Sequence, residues 1–190
     1  MRQKILAVLA ATILLFIWNA VSWMALPFHS QSLNTLPDQV VKFTELSSIQ
    51  LEEGVYHYPG LPENSSPEAI KSLQQKLKDG PRVPLMVFKP GPSELFNPND
   101  FLVSLLLNLS TVSVVLIILI STKSSGLKQT LANSALLGVL ITVMSDLALM
   151  NWYQLPWSFV WPAIADHVVG LVLAGWILHI ICLKKNYEKN

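Results

Sequence analysis

The chain has 190 residues, of which 52% are hydrophobic and only 13% charged, with a formal net charge of +1. Ordinary soluble domains carry about 25% charged residues, so lipid must replace water over much of this surface, and the class is a membrane protein. The near-zero net charge excludes a nucleic-acid binder, which needs clustered positive charge. The lone Cys182 excludes an intramolecular disulfide, a dithiol relay and a Cys-based zinc site.

The first apolar segment, Ile5 to Leu26, follows Arg2 and Lys4 in the manner of a signal peptide. Cuts after Ala20 or Ala25 would place Trp18 or Trp23 at the position where cleavage needs a small residue. Residues 1–26 are therefore expected to be an uncleaved transmembrane anchor. Residues 27–100 carry nine acidic and six basic residues and are too long for a plain loop, which predicts a small α+β domain. In it, Leu36-Pro37-Asp38 opens a helix with Val40, Phe43 and Leu46 on one side. An alternating strand, Val55 to Tyr58, ends at Pro59-Gly60. Ser65 or Ser66 caps a second helix with Pro67 in its first turn, Ile70, Leu73 and Leu77 on one face and Gly80 as its stop. A second strand is expected at Val83 to Phe88.

Three further segments, residues 101–121, 127–150 and 157–183, reach the roughly 20 residues that cross a hydrocarbon core. Residues 184–190 form a tail. The expected fold class is thus membrane all-α, a four-transmembrane-helix bundle with the small α+β extracytoplasmic domain inserted between helices 1 and 2. Arg2, Lys4, Lys123, Lys128, Lys184, Lys185 and Lys189 fall on one side of that plan, which the positive-inside rule makes cytoplasmic. Trp23, Trp152, Tyr153, Trp157 and Trp161 gather at the opposite interface, where amphipathic rings sit. Both termini are then cytoplasmic and residues 27–100 extracytoplasmic.

Each span contains a strongly polar residue well inside its ends: Asn19, Asn108, Asp146 and the adjacent Asp166 and His167. At 1.5 Å per residue all lie roughly 9 to 14 Å below the extracytoplasmic edge, the common level that a shared site requires. With about 100° per residue, Gly170, Ala163 and Ala174 fall between Asp166 and His167 around the last helix. That stripe of small residues suits close helix approach. Asp146 is the expected partner of both Asp166 and His167. These groups either hydrogen-bond one another and hold the bundle together or, as costly intramembrane ionisable residues, serve a proton or solute site.

His167 and His179 are about 18 Å apart along one helix and no other span contains a histidine, so two-His haem ligation within one chain fails. A metal held by His167, Asp146 and Asp166 is chemically allowed, but the residues imply neither metal nor cofactor. His29 and His57 read as interfacial or surface residues, and His179 as interacting with the negative pole at its helix end. No nucleophile elbow, phosphate loop or HExxH pattern occurs.

Three stretches carry a resemblance: Trp23-Met24-Ala25-Leu26-Pro27-Phe28-His29, Gly54-Val55-Tyr56-His57-Tyr58-Pro59, and Asn151-Trp152-Tyr153 with Ala165-Asp166-His167-Val168-Val169-Gly170 and Leu173-Ala174-Gly175. Through them the chain resembles a loose group of small bacterial four-span membrane proteins of unknown function. The resemblance implies a similar architecture and a bacterial inner membrane, and it brings no activity. The leading expectation is a non-enzymatic accessory protein whose partners are the bilayer and another membrane or envelope protein, or a second copy. The alternative is a proton-coupled or small-solute relay using the Asp/His layer, with an intramembrane enzyme third.

Overall fold

The computed structural model describes residues 1–40, 51–60, 62, 66–92, 97–124 and 126–184. It is mostly helical, and four helices are long and apolar enough to cross a membrane: α1 (Arg2–Met24), α4 (Pro98–Ser121), α5 (Leu127–Tyr153) and α6 (Trp157–Leu183). Between α1 and α4 lie α2 (Pro27–Ser32), β1 (Gly54–Tyr58), α3 (Pro67–Asp79) and β2 (Val83–Phe88). The chain divides into two compact units, one of Met1–Asn34 with Leu95–Asn190 and the other of Thr35–Glu94.

In the helical unit, α6 is the hub. It packs most extensively on α5 and then on α1, while α4 rests mainly on α1 and touches α5 sparsely. Ala7, Ala11 and Leu15 are spaced four apart along α1 and are buried against Leu171, Ala174 and Leu178 of α6 and Val112, Val115 and Leu119 of α4. Four-residue spacing keeps side chains on one helical face, so these positions make a continuous apolar seam.

The face that α5 buries is different in kind. Thr130, Ser134, Gly138 and Thr142 are all buried, and none is a large apolar residue. A Cβ at Gly138 would lie 2.8 Å from both the His167 carbonyl oxygen and Val168 Cα, so the backbones of α5 and α6 are in direct contact there. Gly175 of α6 meets the Ser134 side chain in the same way. Between apolar helices in lipid, close backbone approach over small residues supplies the packing that large side chains supply in water.

Helix ends follow local chemistry. Asn97 accepts from the Asn99 N–H at 3.0 Å, with Pro98 at the first position of α4 and Asp100 in its first turn. α5 runs past Met150 to Tyr153, where Gln154 takes a left-handed conformation (φ 54°) and Pro156 stops the helix and leads into α6. α5 contains a wide π turn at Val143–Leu147, and α6 ends in another at His179–Leu183.

The unit Thr35–Glu94 contains a two-stranded antiparallel sheet, with Val55 opposite Val87, Tyr56 opposite Met86 and an irregularity between Tyr56 and Tyr58. The Ser66 hydroxyl accepts from the Ala69 N–H at 3.2 Å to start α3. Gly80 ends it at φ 64°, a conformation suited to glycine. Pro59 is the single buried residue among those described here, so the unit's apolar side chains, including Ile70 and Leu77, stay largely exposed. Of the helix expected from Leu36, only Asp38–Val40 is described, and it is helical; Phe43 and Leu46 lie outside the described residues.

The bundle keeps residues beyond Leu26. Pro27 lacks the N–H that would extend α1 and instead starts α2, which packs on α1 and α6. The helical unit therefore includes residues up to Asn34.

Candidate functional site

The last two turns of α1 carry Asn19, Ser22 and Trp23, and the return of the chain at Pro27 folds α2 back over them. His29, in α2, is 5% exposed. Its ring stacks on Trp23, with centroids 4.0 Å apart and planes 13° from parallel, and Phe28 bridges to Trp161 at 5.0 Å. These aromatic contacts seat the imidazole beside Asp166. His29 Nε2 lies 3.0 Å from Asp166 Oδ2, and the fully buried Ser22 hydroxyl donates to Asp166 Oδ1 at 2.5 Å.

An ionised carboxylate only accepts hydrogen bonds, so with Asp166 ionised the His29 proton resides on Nε2. The same nitrogen is 3.2 Å from Ser22 Oγ. Serine and aspartate thus share one ring nitrogen. In a serine-hydrolase relay they occupy opposite nitrogens, so that the imidazole can take the hydroxyl proton; this cluster holds the carboxylate in place and does not activate Ser22 as a nucleophile.

His167 points elsewhere. Its Nδ1 is 3.0 Å from Asp146 Oδ2 of α5. Neither of these two buried atoms makes a hydrogen bond of good geometry, so the contact is an electrostatic pairing with its atoms off the bonding direction. In a regular α-helix Asp146 would lie about 80° around from Gly138. The wider π turn at Val143–Leu147 advances less per residue and returns Asp146 toward the face that Gly138 presses on His167. The pairing leaves Nε2 as the ring nitrogen not engaged by Asp146, and the His167 side chain is about one-third exposed.

A third polar pair joins α1 to α4, where Asn19 Nδ2 donates to Asn108 Oδ1 at 3.2 Å. Asn108 is 8% exposed, and its own Nδ2 is buried with no hydrogen-bond partner. A buried N–H without an acceptor costs about 1–3 kcal/mol, so an acceptor is wanted at that point.

These groups surround one cavity of about 380 Å³, lined by Asn19, Asn108, Asp166 and His167 together with Thr111, Trp23, Ala163 and the aliphatic Leu15, Ile141 and Leu171. Four of the five polar residues singled out in the sequence line it, and the fifth, Asp146, stands behind His167. Among the described residues no Lys or Arg lines it.

Two sequence expectations are corrected. Asp166 pairs with His29 and Ser22, not with Asp146, because consecutive helical residues point about 100° apart and so face different neighbours: Asp166 faces α1 and α2, His167 faces α5. His29 is buried in the site, not interfacial. Its signal was the Pro27 restart three residues after Met24, while Ser22 lies three residues after Asn19, on the same face. His179, in the last turn of α6, is buried with Nδ1 3.3 Å from the Thr130 hydroxyl. The three-residue metal set His167, Asp146 and Asp166 is divided between these two pairs, and among the described residues no three His, Cys, Asp or Glu side chains converge to hold a metal ion.

Chemically, the cavity offers a carboxylate and an imidazole, each backed by a second titratable group, beside two amides and a hydroxyl. Such a wall can donate and accept hydrogen bonds and exchange protons with a bound molecule. Comparison with family models, with curated proteins and with solved structures finds no match to this chain.

Proposed function

We propose that the protein is a four-span integral membrane protein that binds a small uncharged solute in this cavity and exchanges a proton with it. The observation that carries the reading is the convergence of Asn19, Asn108, Asp166 and His167, from three membrane-length helices, on one cavity. Ionisable groups at that depth are costly and concentrate where protons or solutes are handled. The positive-inside distribution of Lys and Arg supports an orientation with both termini cytoplasmic and the cavity nearer the extracytoplasmic face, in a bacterial inner membrane.

The test begins by finding solutes that raise the thermal midpoint of the purified protein in mild detergent, then measures binding calorimetrically in buffers of different ionisation enthalpy. When the exchanged proton is drawn from or released to solution on binding, the apparent enthalpy depends on the buffer. That dependence is expected for the wild type and to be lost in His167→Gln at unchanged fold. A solute that binds in this cavity with no buffer dependence would overturn the reading.

A second reading, an accessory role through a protein partner, is supported by the unit Thr35–Glu94. Val55 and Val87, paired across the two strands, are 66% and 75% exposed, and exposed apolar pairs of this kind favour association. If this holds, a partner co-purifies from mild detergent with the wild type and is lost from the double substitution Val55→Ser, Val87→Ser. Retention of the same partner by that variant would count against it.

A further inference from the structure

The polar cavity has an apolar neighbour between α4 and α5. A groove of about 390 Å³ runs between these helices, with Val114, Val115, Ile118, Leu137 and Leu140 along it. Thr111, Ile141 and Leu171 belong to the walls of both spaces, so the groove adjoins the cavity. Ser110, at the groove, spends its hydroxyl on the Leu106 carbonyl of its own helix, which leaves the groove apolar in character. A polar chamber beside an apolar groove, both within membrane-length helices and sharing three wall residues, suits a lipid with a compact head and a single chain.

The head can be narrowed by charge. Phosphate and carboxylate heads need cationic partners. Among the described residues the cavity has no Lys or Arg, and it already contains the Asp166 carboxylate, so an anionic head would meet repulsion. Asn108 Nδ2, buried and without an acceptor, calls for a carbonyl-type oxygen. Trp23 contributes an aromatic surface to the same wall, on which a flat ring packs well. Asp166 and His167 are acceptors for a hydroxyl proton. A ring that carries a carbonyl in one form and a hydroxyl in another uses all of these features. The chamber volume lies within the range of about 300–1,000 Å³ typical of small-molecule sites.

Resting on the proton-coupled reading above, we propose that the solute is a lipid-soluble quinone, bound with its ring in the polar cavity and its chain in the α4–α5 groove, its carbonyl accepting from Asn108 Nδ2. The proposal concerns binding of the carbonyl form through its oxygens and, for the hydroxyl-bearing form alone, passage of its O–H proton to Asp166 or His167; the carbonyl form has no proton to exchange, and no electron transfer is part of the proposal.

The experiment uses the full chain in nanodiscs of zwitterionic phospholipid, with a decyl-chain benzoquinone as probe and tryptophan fluorescence as the readout. Saturable quenching is expected over a component that rises linearly with quinone partitioned into the bilayer. Asn108→Leu removes the carbonyl donor and is expected to weaken the saturable component by about tenfold. Leu140→Trp fills the groove from an exposed position, where it does not strain the core, and is expected to weaken binding at least as much. Leu9→Trp, exposed on α1 away from both spaces, is expected to leave the affinity unchanged.

Purely linear quenching, equal affinity in Asn108→Leu and Leu140→Trp, or displacement of the quinone by oleate or monoolein at equal concentration would each overturn the proposal. The two readings fail separately. If the quinone does not bind while another uncharged solute binds with proton exchange that His167→Gln abolishes, the ligand assignment falls and the proton-coupled function stands. Saturable binding of both the quinone and the corresponding quinol, with no proton exchange on binding the quinol, would leave the site assigned and remove the function.

Discussion

Gly138→Leu is expected to be the most damaging single substitution in the helical unit. A Cβ at this position alone would press on the His167 carbonyl oxygen and Val168 Cα at 2.8 Å, and backbone atoms cannot step aside as a flexible side chain can. Overpacking of a tight interface costs about 1–3 kcal/mol and sometimes more, and a full leucine side chain falls at the upper end. Because the displaced atoms belong to His167, the same substitution should separate His167 from Asp146. The expected outcome is loss of monodisperse protein from mild detergent, with Gly138→Ala giving a folded protein of lowered thermal midpoint. Leu136→Ala, at a 64% exposed position on the same helix, should shift the midpoint little. Wild-type stability in Gly138→Leu would contradict the close contact between α5 and α6.

The second large effect is expected at Asp166. Asp166→Ala removes the acceptor of both Ser22 Oγ and His29 Nε2 but leaves them 3.2 Å apart and able to hydrogen-bond each other, so the loss amounts to that of one unsatisfied buried polar group, about 1–3 kcal/mol. The response should be local as well as global, because α2 is only six residues long and its hold on the bundle comes from His29 and the neighbouring aromatic contacts. Backbone amides of α2 should therefore exchange with solvent faster, while amides of the α5–α6 seam stay protected. A double-mutant cycle with His29→Ala gives the sharper measurement: groups in one hydrogen-bonding network show interaction energies of about 0.5–3 kcal/mol. Strict additivity of Asp166→Ala and His29→Ala would show that the two side chains do not depend on each other.

The spans, the common depth of the five polar residues and the caps of α3 and α4 are properties of single segments, and a single segment's composition and spacing specify them. Ser66, Gly80, Asn97 and Pro98 act on neighbours within a few residues, so their roles were legible without knowledge of the rest. The pairing of polar residues is a property of two segments at once. A helical wheel assigns Asp166 a direction but does not say which helix occupies it, and the neighbour turned out to be α2, a short turn of helix too brief to show a periodic pattern. The π turn at Val143–Leu147 was hidden for a related reason. No proline or glycine marks it, and assuming 100° per residue through it misplaces Asp146 by most of a quadrant. Asn108 was visible as polar and deep, but the exposed need of its Nδ2 appears only when Asn19 is seen to satisfy the other end of the amide.

The two kinds of seam in the bundle have a consequence for where it yields. Acyl chains are as apolar as leucine, so lipid competes on nearly equal terms for the aliphatic face of α4, whereas no lipid can replace the backbone contact at Gly138 or the fit of Ser134 against Gly175. α5 and α6, joined by the short turn at Gln154–Pro156, are therefore expected to stay together as one hairpin where α4 yields. A molecule dissolved in the bilayer would enter sideways past α4, without passing through water.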